Sequence, residues 1–200
     1  MRKTTLVMLL LAALLAACAS DGPRRPGPLP PYAAPDRVTD EAVRADFAAI
    51  EAMQLRLAVL NREGRVPTSD YAWAKAQCWL DMARLNYHEG DRGGVIDETV
   101  GEADRLLRAL ESGAKPERRN PLVGGAVRLR EDLWRRADVL AQGPACVAGR
   151  AACLEVQLVW MGHEYAEGGW RHANPYIGIA ERMADAAERE AAACAPRAGR

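Results

Sequence analysis

Apolar residues recur at spacings of three and four along most of the chain from residue 39 to residue 193, as they do on one face of a helix. No stretch shows a convincing alternation of apolar and polar residues, which is the pattern of a half-buried strand. The spacing predicts helices at about 39–62, 70–89, 94–112, 121–141, 148–167 and 175–193. We therefore expect an all-α fold, a helical bundle of about six helices.

Capping residues place the ends of these helices. Thr39 and Ser69 can cap the first two helices, and Gly113 follows the third, where a left-handed residue ends a helix. The pairs Asn120-Pro121 and Asn174-Pro175 each place a cap before a proline, which predicts the start of the fourth and sixth helices. The fifth segment is apolar on almost every side, so we expect it at the centre of the bundle.

Two parts of the chain share a pattern. Cys78 and Cys153 are each followed, after nine residues, by His-Glu, and glycines then lead into a further helix. That helix carries Ala-Asp-Arg-Leu from Ala103 in the first part and Ala-Glu-Arg-Met from Ala180 in the second. This similarity predicts two related three-helix units, with chance agreement between alanine-rich helices as the alternative.

The charges argue against one class of partner. The chain has 27 basic and 27 acidic residues, and it contains no basic block. Proteins that bind nucleic acid need clustered Lys and Arg to neutralise phosphates. We therefore expect no nucleic-acid partner.

The amino terminus has the layout of a targeting segment. Arg2 and Lys3 precede an apolar run that is too short to span a bilayer, and the run ends in Leu15-Ala16-Ala17-Cys18. This ending resembles the lipobox of bacterial lipoproteins, and the alternatives are an ordinary signal peptide with a chance cysteine or a hydrophobic N-terminal helix. The resemblance implies that residues 1–17 are a signal peptide and that Cys18 carries covalent lipid. Ala19 after the cysteine implies the outer membrane of a Gram-negative envelope.

The segment after Cys18 is rich in proline. Residues 19–37 contain six of the twelve prolines, and such a chain is extended and semi-rigid. We expect residues 18–37 to be a lipidated tether, residues 38–194 to be one all-α periplasmic domain, and residues 195–200 to be a tail.

A second resemblance concerns the helical part. "YAWAKAQCWLDMARLNYHEGDR" from Tyr71 and "CLEVQLVWMGHEYAEGGWRHANPYIGIAER" from Cys153 resemble the helical N-terminal region of OmpA-like outer-membrane lipoproteins of proteobacteria. The resemblance covers about residues 65–190 and leaves out the carboxy-terminal domain with which that family binds peptidoglycan. It implies a location at the outer membrane and a scaffold or binding role, with an envelope protein, for example an OmpA-like protein, as partner.

The segment from Met161 to Tyr176 holds two of the three histidines and is the main candidate for chemistry. A metal- or ligand-binding site could combine His163 with His172, and with His88 from the other unit, if the fold brings them together. The acidic neighbours Glu89 and Glu164 would then contribute to the same site. Zinc proteases use His-Glu-x-x-His, but this chain has an acidic residue at the fifth position.

A structural role is the preferred interpretation of the repeated His-Glu pairs. A histidine in the last turn of a helix interacts well with the free carbonyl groups there. A hydrolase that uses Glu164 or Glu167 is a further alternative. The chain contains no Gly-x-Ser-x-Gly, Walker or dinucleotide motif. We therefore expect no enzymatic activity, and no cofactor apart from the lipid on Cys18.

Trp170 and Arg171 form a candidate binding surface after the glycine pair at 168–169. A tryptophan and an arginine can bind a partner through stacking and cation–π contacts. The alternative is that Trp170 covers the end of a helical hairpin while Arg171 pairs with an acid.

The remaining cysteines predict a disulfide. Cys146 and Cys194 lie at equal distances from residue 170, where the last helical hairpin turns, so they should meet at its open end. In an oxidising periplasm this pair would add roughly 4 kcal/mol of stability. Cys78 and Cys153 are expected to be small core residues, although a bridge between the units, or between Cys146 and Cys153, is open.

Overall fold

The computed structural model describes residues 35–194, and their fold is all-helical, as predicted. The six α-helices are α1 (Asp40–Arg62), α2 (Tyr71–Glu89), α3 (Val95–Ser112), α4 (Glu131–Ala141), α5 (Ala148–Gly168) and α6 (Trp170–Cys194). Short 3₁₀ helices lie at Pro35–Val38, Val123–Gly125 and Ala145–Val147. The predicted signal peptide, Cys18, most of the tether and the tail lie outside the described residues.

Several helix ends follow from their capping residues. Thr39 caps α1, since its side chain accepts a hydrogen bond from the amide of Ala42 at 3.2 Å. α3 ends at Gly113, which has the left-handed conformation expected of a glycine that ends a helix. The cap of α2 is Asp70 and not Ser69, because the carboxylate of Asp70 accepts hydrogen bonds from two amides of the first turn.

The start predicted for the fourth helix is wrong. Residues 121–130 form a short 3₁₀ turn and extended chain, and α4 begins only at Glu131. Gly124 and Gly125 both have a positive φ, which an α-helix does not allow. The amide of Val127 donates to the carbonyl of Gly162 in α5, at 3.2 Å, and not to its own segment.

The predicted start of the sixth helix is also wrong. α6 begins at Trp170, so that Gly169 alone separates it from α5 and Pro175 lies inside the helix. The amides of His172 and Ala173 both donate to the carbonyl of Gly169, which starts the helix before the proline. A proline ring fixes φ near the helical value, but Pro175 has no N–H to bind a carbonyl one turn earlier.

The helices pack as two groups of three. α1, α2 and α3 contact one another, α4, α5 and α6 do the same, and the two groups meet mainly through α2 and α5. This arrangement agrees with the predicted three-helix units. α5 is the most buried helix, as predicted, and its fully buried apolar residues include Ala151, Leu154, Val156, Leu158, Val159 and Met161.

Two cysteine pairs lie at disulfide distance. The Cα atoms of Cys146 and Cys194 are 6.7 Å apart, in agreement with the predicted pair. The Cα atoms of Cys78 and Cys153 are 5.4 Å apart, so the interpretation of these two as unpaired core residues is wrong, and the bridge between the units is the correct alternative.

None of the helices within residues 35–194 combines the length and the apolar character that crossing a membrane requires.

Candidate functional site

His163 lies at the centre of a buried polar cluster. Its side chain is only 3% exposed, and its Nδ1 lies 2.7 Å from the carbonyl oxygen of Gly124. Since a carbonyl oxygen can only accept, Nδ1 carries the proton and donates to it. The other ring nitrogen, Nε2, faces Asn86 of α2 and Asp91, which lies just beyond the end of that helix.

Three oxygen atoms surround Nε2 of His163. The nearest is Oδ1 of Asn86 at 3.1 Å, followed by Oδ2 of Asp91 at 3.4 Å and Oε1 of Glu167 at 3.5 Å. Asn86 comes from α2, Asp91 follows the glycine that ends α2, and Glu167 lies one turn after His163 on α5. We call these four residues the His163 cluster.

The 121–130 segment closes the cluster from one side. Gly124 has a φ of 59°, and a Cβ atom there would lie 2.7 Å from Nδ1 of His163. A Cβ on Gly162 would lie 2.0 Å from the carbonyl oxygen of Val127. Glycine at 124 and 162 thus allows the segment to lie directly on α5, with the carbonyl of Gly124 over the imidazole.

Backbone groups fix the cluster members from α2. The amide nitrogen of the Asn86 side chain donates to the carbonyl of Met82 at 2.8 Å, so its Oδ1 is the atom that faces His163. Asp91 accepts a hydrogen bond from the amide of Gly93 on Oδ1, which leaves Oδ2 towards Nε2. The positive φ of Gly90 ends α2 and turns the chain so that Asp91 faces inward.

The charges within the cluster influence one another. Burial lowers the pKa of His163, but Asp91, the carbonyl of Gly124 and Glu167 outweigh burial, so that the pKa is raised overall. Burial raises the pKa of Asp91, but hydrogen bonding to His163 and Gly93 brings it below its usual value. Burial keeps the pKa of Glu167 raised. His163 and Asp91 thus each favour the charged form of the other.

A second polar group lies next to the His163 cluster and shares Glu167 with it. Glu164, Glu167 and His172 each offer one atom, and these atoms lie within 4.8 Å of one another. Glu164 is buried and accepts a hydrogen bond from Trp160 at 2.9 Å, whereas the side chain of His172 is 52% exposed. The shared carboxylate connects the buried cluster to the surface.

The histidines therefore do not form the single site considered from the sequence. Within residues 35–194, His88 belongs to neither group, and it is exposed in the last turn of α2 together with Glu89. His88 thus has the helix-end position expected for both His-Glu pairs. For His163 that interpretation is wrong, because α5 continues to Gly168 and the imidazole is buried against the 121–130 segment.

Trp170 and Arg171 are both exposed at the start of α6. The indole of Trp170 is 53% exposed, and its ring packs edge-on against Tyr165 with the centroids 4.8 Å apart. The two residues are therefore accessible at the junction between α5 and α6.

A buried charged network ties α2 to α5 elsewhere in the bundle. Lys75 and Glu155 are each 1% exposed, and the ammonium nitrogen donates to Oε2 of Glu155 at 2.6 Å. Lys75 also donates to Tyr71, to the carbonyl of Arg119 and to Asn120. Because every charge in this network has a partner, we assign it a structural role.

An open groove of about 410 Å³ lies where the start of α2 meets the start of α5 and the end of α6. Both cysteine pairs contribute to its lining, through Cys146 and Cys153. Trp73 and Arg150 line it as well, next to Glu190.

Asn86 and Asp91 are the cluster members that the sequence did not single out. Asn86 lies among the apolar residues of α2, where a buried amide needs a polar partner, and this is the one signal that could have identified it. No family of known sequences, no curated protein and no solved structure matches this chain.

Proposed function

We propose that this chain is an outer-membrane lipoprotein that faces the periplasm and acts there without catalysis, as an envelope scaffold or a protein-binding module. The observation that carries the proposal is the sequence Leu15-Ala16-Ala17-Cys18 directly after an apolar targeting segment. Acyl chains on Cys18 would hold the protein at the membrane, since each buried methylene contributes about 0.8 kcal/mol.

The remaining four cysteines support an extracytoplasmic location. Cys78 and Cys153 lie at disulfide distance, and so do Cys146 and Cys194. Structural disulfides persist in oxidising compartments such as the bacterial periplasm and are rare in the cytosol.

The junction between α5 and α6 is the surface we assign to a partner protein. Tryptophan and arginine are enriched among the residues that dominate binding energy at protein interfaces, and Trp170 and Arg171 are adjacent and exposed there. The resemblance to OmpA-like lipoproteins makes an envelope protein of that kind the first candidate partner.

Replacing Cys18 tests the anchor. The Cys18→Ser variant should lose incorporation of labelled palmitate and should leave the membrane fraction of the cells. Cys194→Ser is a control, since it replaces a cysteine of the folded domain, at the cost of the link to Cys146, and should keep the label. Equal labelling of Cys18→Ser and the unaltered protein would refute lipidation at Cys18.

Site-specific crosslinking tests the partner surface. A photoreactive residue at position 170 should yield one crosslinked envelope protein, identified by mass spectrometry. Position 139 on α4 is the control, because the side chain of Val139 is 71% exposed but lies on another helix. The binding role fails if position 170 gives no specific product, or the same products as position 139.

A further inference from the structure

The contact with Gly124 fixes the orientation of the His163 imidazole. Because Nδ1 donates to the carbonyl of Gly124 and Nε2 faces only oxygen atoms, either a proton or a cation has to lie between Nε2 and these oxygens. An unprotonated Nε2 would direct its lone pair at the lone pairs of Asn86 and Asp91, which repel it. The same arrangement, with one ring N–H bound to a backbone carbonyl, is typical of histidines that ligate metal ions.

The spacing of the surrounding atoms suits ligands of one ion. Oxygen and nitrogen ligands lie about 2.0–2.2 Å from Zn²⁺, so two ligands in a tetrahedral arrangement are roughly 3.4 Å apart. The three oxygen atoms of the cluster lie 3.1, 3.4 and 3.5 Å from Nε2 of His163. The ligand atoms of Asp91, His163 and Glu167 all lie within 4.8 Å of one another.

The two carboxylates of the cluster also favour a bound cation. The side chains of Asp91 and Glu167 are 7% and 20% exposed. Among the ion pairs of residues 35–194, each of these carboxylates pairs with His163 alone. Oε1 of Glu167 is buried and accepts no hydrogen bond within the described part of the chain. A buried carboxylate oxygen with no hydrogen bond and its nearest cation an imidazole nitrogen 3.5 Å away is poorly compensated, and a divalent cation would satisfy both carboxylates at once.

We infer that the His163 cluster binds one divalent transition-metal ion of the first row, with Zn²⁺ as the reference ion. The ligands are one ring nitrogen and three side-chain oxygen atoms, from His163, Asn86, Asp91 and Glu167. A mixed set of imidazole and carboxylate without thiolate suits Zn²⁺, Mn²⁺ or Co²⁺. This site is independent of the lipid anchor.

The surroundings hold the ligands in place before any ion binds. Gly124, Met82 and Gly93 each supply a backbone group that orients one ligand, as described above. Such outer partners fix the tautomer and the direction of metal ligands. Glu167 and the exposed His172 provide a route of access, because they connect the cluster to the surface through the neighbouring group.

Titration of the full chain with metal tests the inference. Protein that has been treated with a chelator and dialysed should bind one equivalent of Zn²⁺ in calorimetry, and Co²⁺ should give the visible absorption of a site with nitrogen and oxygen ligands. Asp91→Asn and Glu167→Gln should each weaken binding by at least about tenfold. Circular dichroism checks that both near-isosteric variants are folded.

Two control variants separate this site from surface binding. His88→Ala removes the equivalent but exposed histidine of the first unit, and His172→Ala removes the outer group. Both should bind Zn²⁺ with unchanged stoichiometry. If His172→Ala abolishes binding while Asp91→Asn does not, the ion lies at the surface and the inference is overturned.

A structural measurement keeps the inference testable if the variants fail to fold. Anomalous diffraction from crystals of the unaltered protein grown with Zn²⁺ should locate one ion about 2.0–2.2 Å from Nε2 of His163. Either an ion found elsewhere alone, or no binding of Zn²⁺ and Co²⁺ in solution, overturns it.

Discussion

Cys78 and Cys153 occupy equivalent positions in the two three-helix units, and their Cα atoms face each other 5.4 Å apart between α2 and α5. Ala74 and Gly149 lie one turn earlier at another pair of equivalent positions, and a Cβ on Gly149 would be 3.1 Å from the Cβ of Ala74. Contacts between equivalent positions are what a two-fold relation produces. The two units thus meet like the halves of a symmetric dimer within one chain.

A peptide map without reduction should contain two links, one between Cys78 and Cys153 and one between Cys146 and Cys194. Replacing Cys78 and Cys153 together by serine should lower the free energy of unfolding by about 4 kcal/mol, since that link closes a long loop. Denaturant unfolding measures this change. A link between Cys146 and Cys153, or free thiols at these positions, would contradict the packing of α2 on α5.

The buried pair of Lys75 and Glu155 should be strongly coupled. Lys75→Met leaves a buried carboxylate with fewer partners and should cost about 3 kcal/mol, as should Glu155→Gln, which leaves the ammonium. The double variant should lose clearly less than the sum of the two single losses, because neither charge is then left alone. A double-mutant cycle by denaturant unfolding gives the coupling.

Arg136 provides the control for that cycle. It pairs with Asp185 and Glu188 of α6, but these side chains are about half exposed. Arg136→Met should therefore cost less than about 1 kcal/mol. Additive losses at Lys75 and Glu155 would show that the buried network does not act as a unit.

Arg56 links α1 to α3 in a way that depends on pH. It donates to Glu111 through two nitrogens, at 2.9 and 2.7 Å, and this hydrogen bonding lowers the pKa of Glu111 below its ordinary value of 4.5. A lowered pKa in the folded state means that the ionised form stabilises the fold. The contribution is therefore complete above the ordinary value and is lost as the pH falls through the lowered one.

The Arg56→Met variant removes this contribution together with the ion pair between Arg56 and Asp104. It should be less stable than the unaltered protein at neutral pH, and the difference should shrink as the pH falls below 4.5. Added salt should also reduce the difference, since both side chains are partly exposed. Unfolding curves at several pH values measure it, and a difference that does not change with pH would contradict the assignment.

Gly124 should tolerate no side chain. A Cβ there would lie 2.7 Å from both His163 Nδ1 and Val95 Cγ2, and the residue has a positive φ. Gly124→Ala should cost about 2–4 kcal/mol, which combines backbone strain with the displacement of the imidazole.

Gly125 is a matched control, since it also has a positive φ but a Cβ there would have no atom within 4 Å. Gly125→Ala should cost about 1 kcal/mol, from backbone conformation alone. Equal losses for the two variants in thermal unfolding would show that the close contact with His163 does not constrain the fold.

Local signals predicted the helices well wherever a cap and an apolar stripe agreed. α1 begins after Thr39 and α3 ends before Gly113, as expected, because capping depends on groups within one turn. Asn120-Pro121 failed, since the segment after it contacts α5 and a tertiary contact outweighs a local cap. Asn174-Pro175 failed for a different, local reason, because the carbonyl of Gly169 had already started the helix before the proline.

The His163 cluster could be predicted only in part. The repeat identified His163, but it also suggested the same helix-end role for His88 and His163, and the structure gives them different environments. The difference comes from the 121–130 segment and from Asp91, which reach His163 across gaps of 39 and 72 residues in the chain. Sequence spacing does not encode contacts of that kind.

Mass spectrometry of the amino-terminal peptide tests the proposed function most directly. Protein extracted from membranes with detergent should yield a peptide that begins at Cys18 and carries a diacylglyceryl group and an amide-linked acyl chain. Such a peptide would show that the folded domain is held at the membrane through this residue. A chain that retains Met1, or that begins elsewhere with an unmodified thiol at Cys18, would contradict the account.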